Sequence, residues 1–424
     1  MKKFFQQRTH RGINFQFIGL PDTDAFKIEA YTGLGSAIES SYDKNLYGAA
    51  HLVEHLSFKS PRDYTSEELE KKLNFLGNHN ASTYYNMVKY WFRTTSENMN
   101  DAINMVANIT LNDLSRLTDE EFELEKSVVI NEARMYEDNT QQAFWTSSFA
   151  KLFGRHDEDT VIGVPDTITT FTKEDAIRVK NDLIAKAPIV INIVFDPMCL
   201  SQEEIMAEVC DQFESFGYTA PDTEFYHYKD CPHAFENATI PSKATQSLTM
   251  VGMRIPLTHD TPFLNNTAVD ILSMLADSSL NNLVRVKHGL TYGIGCFTLE
   301  SGIDDTPYLV TGCDVETGKE PLLMELIEKS INDVPSEVTE EFFNEVIKKK
   351  KIARVLSRTN LNSYNSIFAN VLYGEISADA VNDDLNTDLE KLFDEQVTYD
   401  GIKNILETIK DTFNSNKYVV MSNY

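Results

Sequence analysis

Two histidines and a glutamate lie close together in the sequence at a spacing that suits metal chemistry. Between Gly48 and Ser60 the chain reads GAAHLVEHLSFKS, with His51, Glu54 and His55 in the order His-x-x-Glu-His. Helical residues step by about 100°, so these three side chains would share one face and one turn. A catalytic zinc ion takes neutral imidazole ligands and needs a base beside the water that it activates. The pattern therefore predicts a zinc site, and a buried helix with two incidental histidines is the alternative.

A second helical pattern offers further carboxylates for the same site. It runs from Thr118 to Asn139, with Glu121 placed to form a capping box with Thr118. Glu125 and Glu132 project from one face of this helix, about two turns apart. Glu132 is flanked by apolar residues, where a carboxylate needs a partner, either a metal or a buried salt bridge. We interpret Glu125 as a group that orients a ligand or the base, with a solvated surface acid as the alternative.

Motif order and context resemble the pitrilysin family of zinc peptidases, which includes insulin-degrading enzyme and the mitochondrial processing peptidase. In that family the motif is followed by a glutamate ligand at a spacing like that between His55 and Glu132. Three more segments are similar to the family: GAA before His51, NAST at residues 80–83, and RVKHGLTY at residues 285–292. These segments are spread over most of the chain.

The resemblance implies a zinc-dependent endopeptidase that cleaves peptides or unfolded protein segments, with one zinc ion per subunit. His51, His55 and Glu132 would hold the metal, and Glu54 would be the general base. In the family the segment at residues 80–83 pairs with substrate, so the candidate substrate-binding residues are Asn80, Ala81, Ser82 and Thr83. Judged without the resemblance, these four residues are more typical of an ordinary paired strand.

The resemblance also assigns a role to the C-terminal half. Arg285 and Tyr292 would stabilise the oxyanion, as their counterparts do in the family. Since larger relatives take this pair from their last domain, a chain of this size is expected to form a homodimer with shared sites. Val286 and His288 replace residues that are commonly acidic and basic in the family. The alternative function is a non-catalytic or partner-dependent subunit of a processing-peptidase-like complex.

We predict an α+β fold of two homologous domains, each an antiparallel-rich sheet covered by helices, joined by a linker. A chain of 424 residues is too long for one ordinary core. The predicted parts are a zinc-binding catalytic domain at 1–218, a linker at 219–242, and a C-terminal domain without a metal motif at 243–424. The β-branched run from Pro188 to Phe195 is typical of a central strand.

Composition limits the classes of partner. A formal charge of −27 would repel phosphate and argues against nucleic acid. The acidity could attract basic peptides or serve solubility alone. No apolar run reaches the length of a membrane span, and the N-terminus lacks a signal-peptide core, so we expect no membrane segment. Five cysteines without CxxC spacing are typical of reduced thiols, which predicts a cytoplasmic protein.

Overall fold

The computed structural model describes residues 2–153, 159–223, 237–241, 244–257, 261–300, 307–357, 365–372, 376–382 and 384–423. The chain forms two compact units. The first contains residues 1–135, 158–228 and 377–388, and the second contains residues 136–157, 229–376 and 389–424. The predicted fold of two domains, each with a sheet and helices, is confirmed.

A mixed sheet of six strands forms the centre of the first unit. Its strands are β1 (Phe4–His10), β2 (Ile13–Gly19), β3 (Ala25–Thr32), β4 (Asn78–Thr83), β5 (Val88–Thr95) and β6 (Ile189–Phe195). They lie in the order β1-β2-β6-β3-β5-β4, and only the β2–β6 pair is parallel. β6 is buried at every position, as its β-branched sequence predicts. β4 forms the edge of this sheet.

Helices pack on one face of this sheet. They are α1 (Ala49–Leu56), α2 (Ser66–Leu76), α3 (Met99–Thr110), α4 (Asp119–Asp138), α6 (Pro165–Thr169), α7 (Lys173–Ala185) and α8 (Gln202–Ser215). Capping boxes begin α2, α7 and α8 at Thr65, Thr172 and Ser201. Phe15 and Ile28 from the sheet share a continuous buried core with apolar residues of these helices. That core fixes the positions of α1 and α4, which carry the candidate ligands.

The second unit repeats the outline of the first. Its sheet contains β7 (Ala238–Pro241), β8 (Ser247–Arg254), β9 (Gly295–Glu300), β10 (Pro307–Val315) and β11 (Tyr418–Asn423). The order is β7-β11-β8-β10-β9, again with one parallel pair, β7 and β11. Its helices are α5 (Thr140–Leu152), α9 (Pro262–Leu280), α10 (Glu320–Glu337), α11 (Glu340–Ser357), α12 (Asn365–Leu372) and α14 (Tyr399–Asn416). α13 (Leu385–Gln396) begins within the first unit, and its residues from 389 onward belong to the second. A π-helical turn, Asn281–Lys287, continues α9.

Two segments cross the predicted domain boundaries. Residues 136–157 fall in the predicted first domain, yet α5 packs in the second unit, where Trp145 lies 6.2 Å from Phe297 between ring centroids. Phe153 lies 4.9 Å from Tyr308 in the same way. Residues 377–388 belong to the first unit, where the Leu385 amide donates to the carbonyl of Lys3 at 2.9 Å. Most of the predicted linker lies outside the described residues.

None of the described helices combines the length and the apolar composition that crossing a membrane would need.

Candidate metal centre

Helix α1 presents the His-x-x-Glu-His motif on one face because its apolar residues lie on the opposite face. Leu52, Val53 and Leu56 are 1% exposed or less and fix the helix in the core. His51, Glu54 and His55 occupy the opposite face and are half-buried. A helix of 3.6 residues per turn divides this segment into an apolar face and a face with ligands. The geometry predicted for the motif is therefore present.

Helix α4 brings the third group to this face. Glu132 Oε2 lies 3.9 Å from His51 Nε2 and 3.8 Å from His55 Nε2. The three ligand atoms all lie within 4.8 Å of one another. The buried neighbours Val129 and Ala133 anchor α4 in the core at this point. Residues from two separate helices thus meet at one point.

These three atoms fit a zinc ion. They are too far apart to hydrogen-bond to one another and close enough for a single ion to bridge them. Two imidazole nitrogens and one carboxylate oxygen are also a ligand set that catalytic zinc uses. Burial, with a smaller contribution from His55, lowers the pKa of His51 to about 4, so its imidazole is neutral at physiological pH. A neutral imidazole is the form that binds a metal.

Glu125 contacts one of the two histidines. Its Oε2 lies 3.5 Å from His55 Nδ1, and its Oε1 accepts from Lys59 Nζ at 2.8 Å. Burial lowers the pKa of His55, but the nearby carboxylates, Glu125 foremost, outweigh it and raise the pKa overall. A carboxylate on Nδ1 leaves Nε2 directed at Glu132. Glu125 is thus within reach of His55, and its predicted role in orienting a ligand stays a prediction.

Glu54 is held by a neighbouring strand. Thr83 Oγ1, at the end of β4, donates to Glu54 Oε2 at 2.6 Å. Burial raises the pKa of Glu54, and the hydrogen bond from Thr83 opposes this rise. A carboxylate with a raised pKa is a better proton acceptor in a reaction near neutral pH. Glu54 therefore lies beside the candidate ligands in a position suited to a base.

The predicted substrate-binding residues form the edge strand β4. β4 pairs with β5 on one side, and its other side pairs with no strand among the described residues. The side chains of Asn80 and Ser82 bond locally to the backbone of Ala81. The Thr83 hydroxyl is engaged by Glu54, and the predicted substrate-binding role of all four residues stays a prediction. Hence the backbone of β4, more than these side chains, is available for an extended peptide.

Arg285 and Tyr292 lie together in the second unit. The Arg285 guanidinium carbon is 4.9 Å from the centroid of the Tyr292 ring, and Tyr292 is 89% exposed. Tyr292 lies in the loop between the π-helical turn and β9, and hydrogen bonds join the end of this loop and the start of β9 to that turn and to α9. Asn281 Nδ2 donates to the Ile294 carbonyl at 3.2 Å, and the Cys296 amide donates to Asp277 Oδ1 at 3.3 Å. The two residues thus form one exposed cationic and aromatic surface.

Two fully buried charged residues next to α1 escaped the sequence analysis. Glu39 accepts backbone hydrogen bonds at the start of α1, and Lys180 of α7 contacts Ser57 at its end. Glu39 lies in a polar stretch ahead of α1 that gave no signal, whereas Lys180 interrupts the apolar face of α7 between Val179 and Leu183. For Lys180, a charged residue at an apolar position was the available signal.

The fold and this centre define the class: two related units of sheet and helices, one of which brings a His-x-x-Glu-His helix against a glutamate. The profile described as insulinase, peptidase family M16, matches residues 21–156, and the profile of the peptidase M16 inactive domain matches residues 199–350. The chain belongs to the M16 peptidase family.

Individual relatives agree with this assignment. An uncharacterized zinc protease from Rickettsia felis is 22% identical over 351 residues, which cover 80% of this chain and 81% of the relative. A protease from Helicobacter pylori has a similar structure, with a TM-score of 0.76, 18% identity and full coverage of both chains. A peptidase M16 inactive domain from Pseudomonas fluorescens also has a TM-score of 0.76, at 15% identity, covering 99% of this chain and 98% of that one. The solved structures show the shared fold.

Proposed function

We propose that this protein is a zinc-dependent endopeptidase that cleaves peptides or unfolded protein segments. The observation that carries the proposal is the convergence of His51, His55 and Glu132 within 4.8 Å, with Glu54 on the same helix face. An M16 protein without the base or a ligand would lack this set. The bound zinc would activate water and polarise the scissile carbonyl.

Each residue of the centre then has a defined task. His51, His55 and Glu132 would hold the metal, while Glu125 keeps His55 in the ligating orientation. Glu54 takes a proton from the attacking water and delivers it to the leaving amine nitrogen. The Thr83 hydroxyl fixes the carboxylate of Glu54 in its position on α1. An extended substrate would add to the free edge of β4.

The oxyanion needs a further donor. Lys59 and Thr83, beside the centre, are already bonded to Glu125 and Glu54. We assign this task to Arg285 and Tyr292 of a second subunit in a homodimer. Both are exposed, as donors that complete a partner's site must be.

A cytosolic location fits the four free thiols among the described cysteines.

Replacing Glu132 by Gln tests the metal centre. We expect wild-type protein to bind about one zinc ion per subunit and the variant to bind zinc more than about 100-fold more weakly, because a charged ligand is lost. Metal analysis after dialysis and titration against a zinc chelator would measure this. Glu120→Gln, an exposed acid on the same helix, is the control and should bind zinc like wild type. Equal affinity in both variants would contradict the assigned ligand set.

Mixing two inactive variants tests the shared site. Glu54→Gln and Arg285→Ala should each be inactive, yet random exchange of subunits would restore about a quarter of wild-type activity, since half the dimers contain one complete site. Peptidase assays on the mixture and on the separate variants would show this. Arg285→Ala mixed with Tyr292→Phe is the control, because their lesions fall on one surface and cannot complement. No recovery in either mixture would rule out a site shared between subunits.

A further inference from the structure

Helix α1 is too short to be stable on its own. Eight residues make about two turns, and an isolated helix of that length is unstable in water. Its first N–H groups need acceptors from outside the helix. Gly48, the residue before it, has no side chain to accept them. Core packing of Leu52, Val53 and Leu56 fixes the rest of α1, so the position of its first turn depends on what binds this end.

A carboxylate from another part of the chain supplies the missing acceptors. Glu39 lies in a 3₁₀ turn, Ser36–Ser41, and is 1% exposed. Its Oε2 accepts from the Gly48 amide at 2.9 Å, and its Oε1 accepts from the Ala50 amide at 2.7 Å. One oxygen is thus bonded to the N-cap residue Gly48 and the other to the first turn of α1. A carboxylate at this end also interacts favourably with the helix dipole.

Close backbone packing leaves the start of α1 little freedom. Gly48 has a φ of 95°, and a Cβ there would lie 2.7 Å from the Cα of Gly163. Gly163 has a φ of 71°, and a Cβ there would lie 2.7 Å from the Cα of Gly48. The two backbones therefore touch, in a conformation that glycine adopts without strain. Glu39 binds the helix start directly beside this contact.

We propose that Glu39 is a positioning residue for the metal centre, which fixes the first turn of α1 so that His51 faces Glu132. Ala50, whose amide Glu39 holds, directly precedes His51. Loss of this bond would release the turn with His51 before the turn with His55, which Glu125 holds separately. The inference rests on the proposed metal centre and deepens it.

Glu39→Gln is the test variant. An amide offers one acceptor oxygen, so its NH₂ group would face one of the two backbone N–H groups. We expect the zinc dissociation constant to rise about 10–100-fold, as for other groups that support metal ligands, and kcat to fall while KM changes little. Chelator competition measures the first quantity, and steady-state peptide hydrolysis measures the other two.

Asp196→Asn is the matched control. Asp196 is 2% exposed, lies in the same unit, and accepts from the amides of Thr23 and Asp24 at 2.8 Å each, far along the chain from α1. The Asp196→Asn variant should lose thermal stability as Glu39→Gln does, yet its zinc affinity should stay within about twofold of wild type. Unchanged zinc affinity in Glu39→Gln would overturn the inference, as would an equal loss in Asp196→Asn.

Two provisions keep the outcome clear. If Glu39→Gln does not fold, Glu39→Asp keeps both oxygens on a shorter side chain, and an affinity equal to that of wild type would overturn the inference. A zinc affinity of Glu39→Asp below that of wild type would support the inference. Zinc affinity is measured without a substrate. A wild-type protein that binds zinc and cleaves no peptide would therefore contradict the proposed endopeptidase, while the affinity comparison would still decide the role of Glu39.

Discussion

Glu54→Gln is expected to lower kcat for peptide hydrolysis by about 10²–10⁴-fold while the protein keeps its zinc. Glu54 is not one of the three grouped ligands, and its carboxylate is the titratable group of α1 that remains beside them. A glutamine oxygen can still accept from Thr83 Oγ1, so the helix keeps its contact with β4. Only the ability to take a proton is lost.

Steady-state kinetics and metal analysis on the same preparation would separate the two effects. Glu67→Gln, an exposed glutamate on α2, is the control and should retain both zinc and activity. Unchanged peptide hydrolysis by Glu54→Gln would contradict the assignment of Glu54 as the general base. If Glu54→Gln loses both its zinc and its activity, then Glu54 supports a ligand, and the proposed division of tasks is wrong.

The parts of the site that follow local periodicity could be predicted from the sequence. The helix around His51 and the helix around Glu132 both form, and each presents the predicted face because apolar residues fill its other side. The capping box at Thr118 also forms, with Glu121 accepting from the Thr118 amide at 3.0 Å. These features depend on neighbours within a few turns, which the sequence shows directly.

Features that depend on distant contacts were not predictable in the same way. Thr83 bonds Glu54 across 29 residues, and Lys180 reaches Ser57 across 123 residues. Strand β1 was not predicted either, because after Phe4 and Phe5 it is mostly polar. Likewise, no local pattern indicates that α5 packs in the second unit. Long-range packing decides such cases over local preference.

Lys180 is a lysine in a site that disfavours its charge. It is 1% exposed, and its Nζ donates to Ser57 Oγ at 2.8 Å and to the Ile109 carbonyl at 3.3 Å. The Tyr90 hydroxyl lies 3.4 Å away, and the charge of Asp113 raises the pKa of Lys180 by less than burial lowers it. No carboxylate within the described part of the chain lies at ion-pair distance from it. Burial therefore dominates and lowers the pKa of Lys180 to about 7.

This shift predicts how stability depends on pH. Below about pH 7 the amine is protonated in both states, so the folded protein bears the full cost of a buried charge. Between about pH 7 and the ordinary lysine pKa near 10.4, the unfolded chain binds a proton that the folded protein does not. The contribution of Lys180 to the free energy of unfolding should thus rise by about 1.4 kcal/mol per pH unit across this window.

Lys180→Met isolates that contribution. Ser57 and Tyr90 are 2.9 Å apart and keep each other as partners in the variant, so few polar groups are left unpaired. The free energy of unfolding of the variant, relative to that of wild type, should be highest below pH 7. This difference should fall by about 3 kcal/mol between about pH 7 and pH 9, because wild type gains stability over that range. Urea unfolding over this range measures it, with Lys71→Met, an exposed lysine, as the control that should run parallel to wild type. If Lys180→Met also runs parallel, then the amine stays charged in the fold, and contacts at the end of α1 compensate its burial.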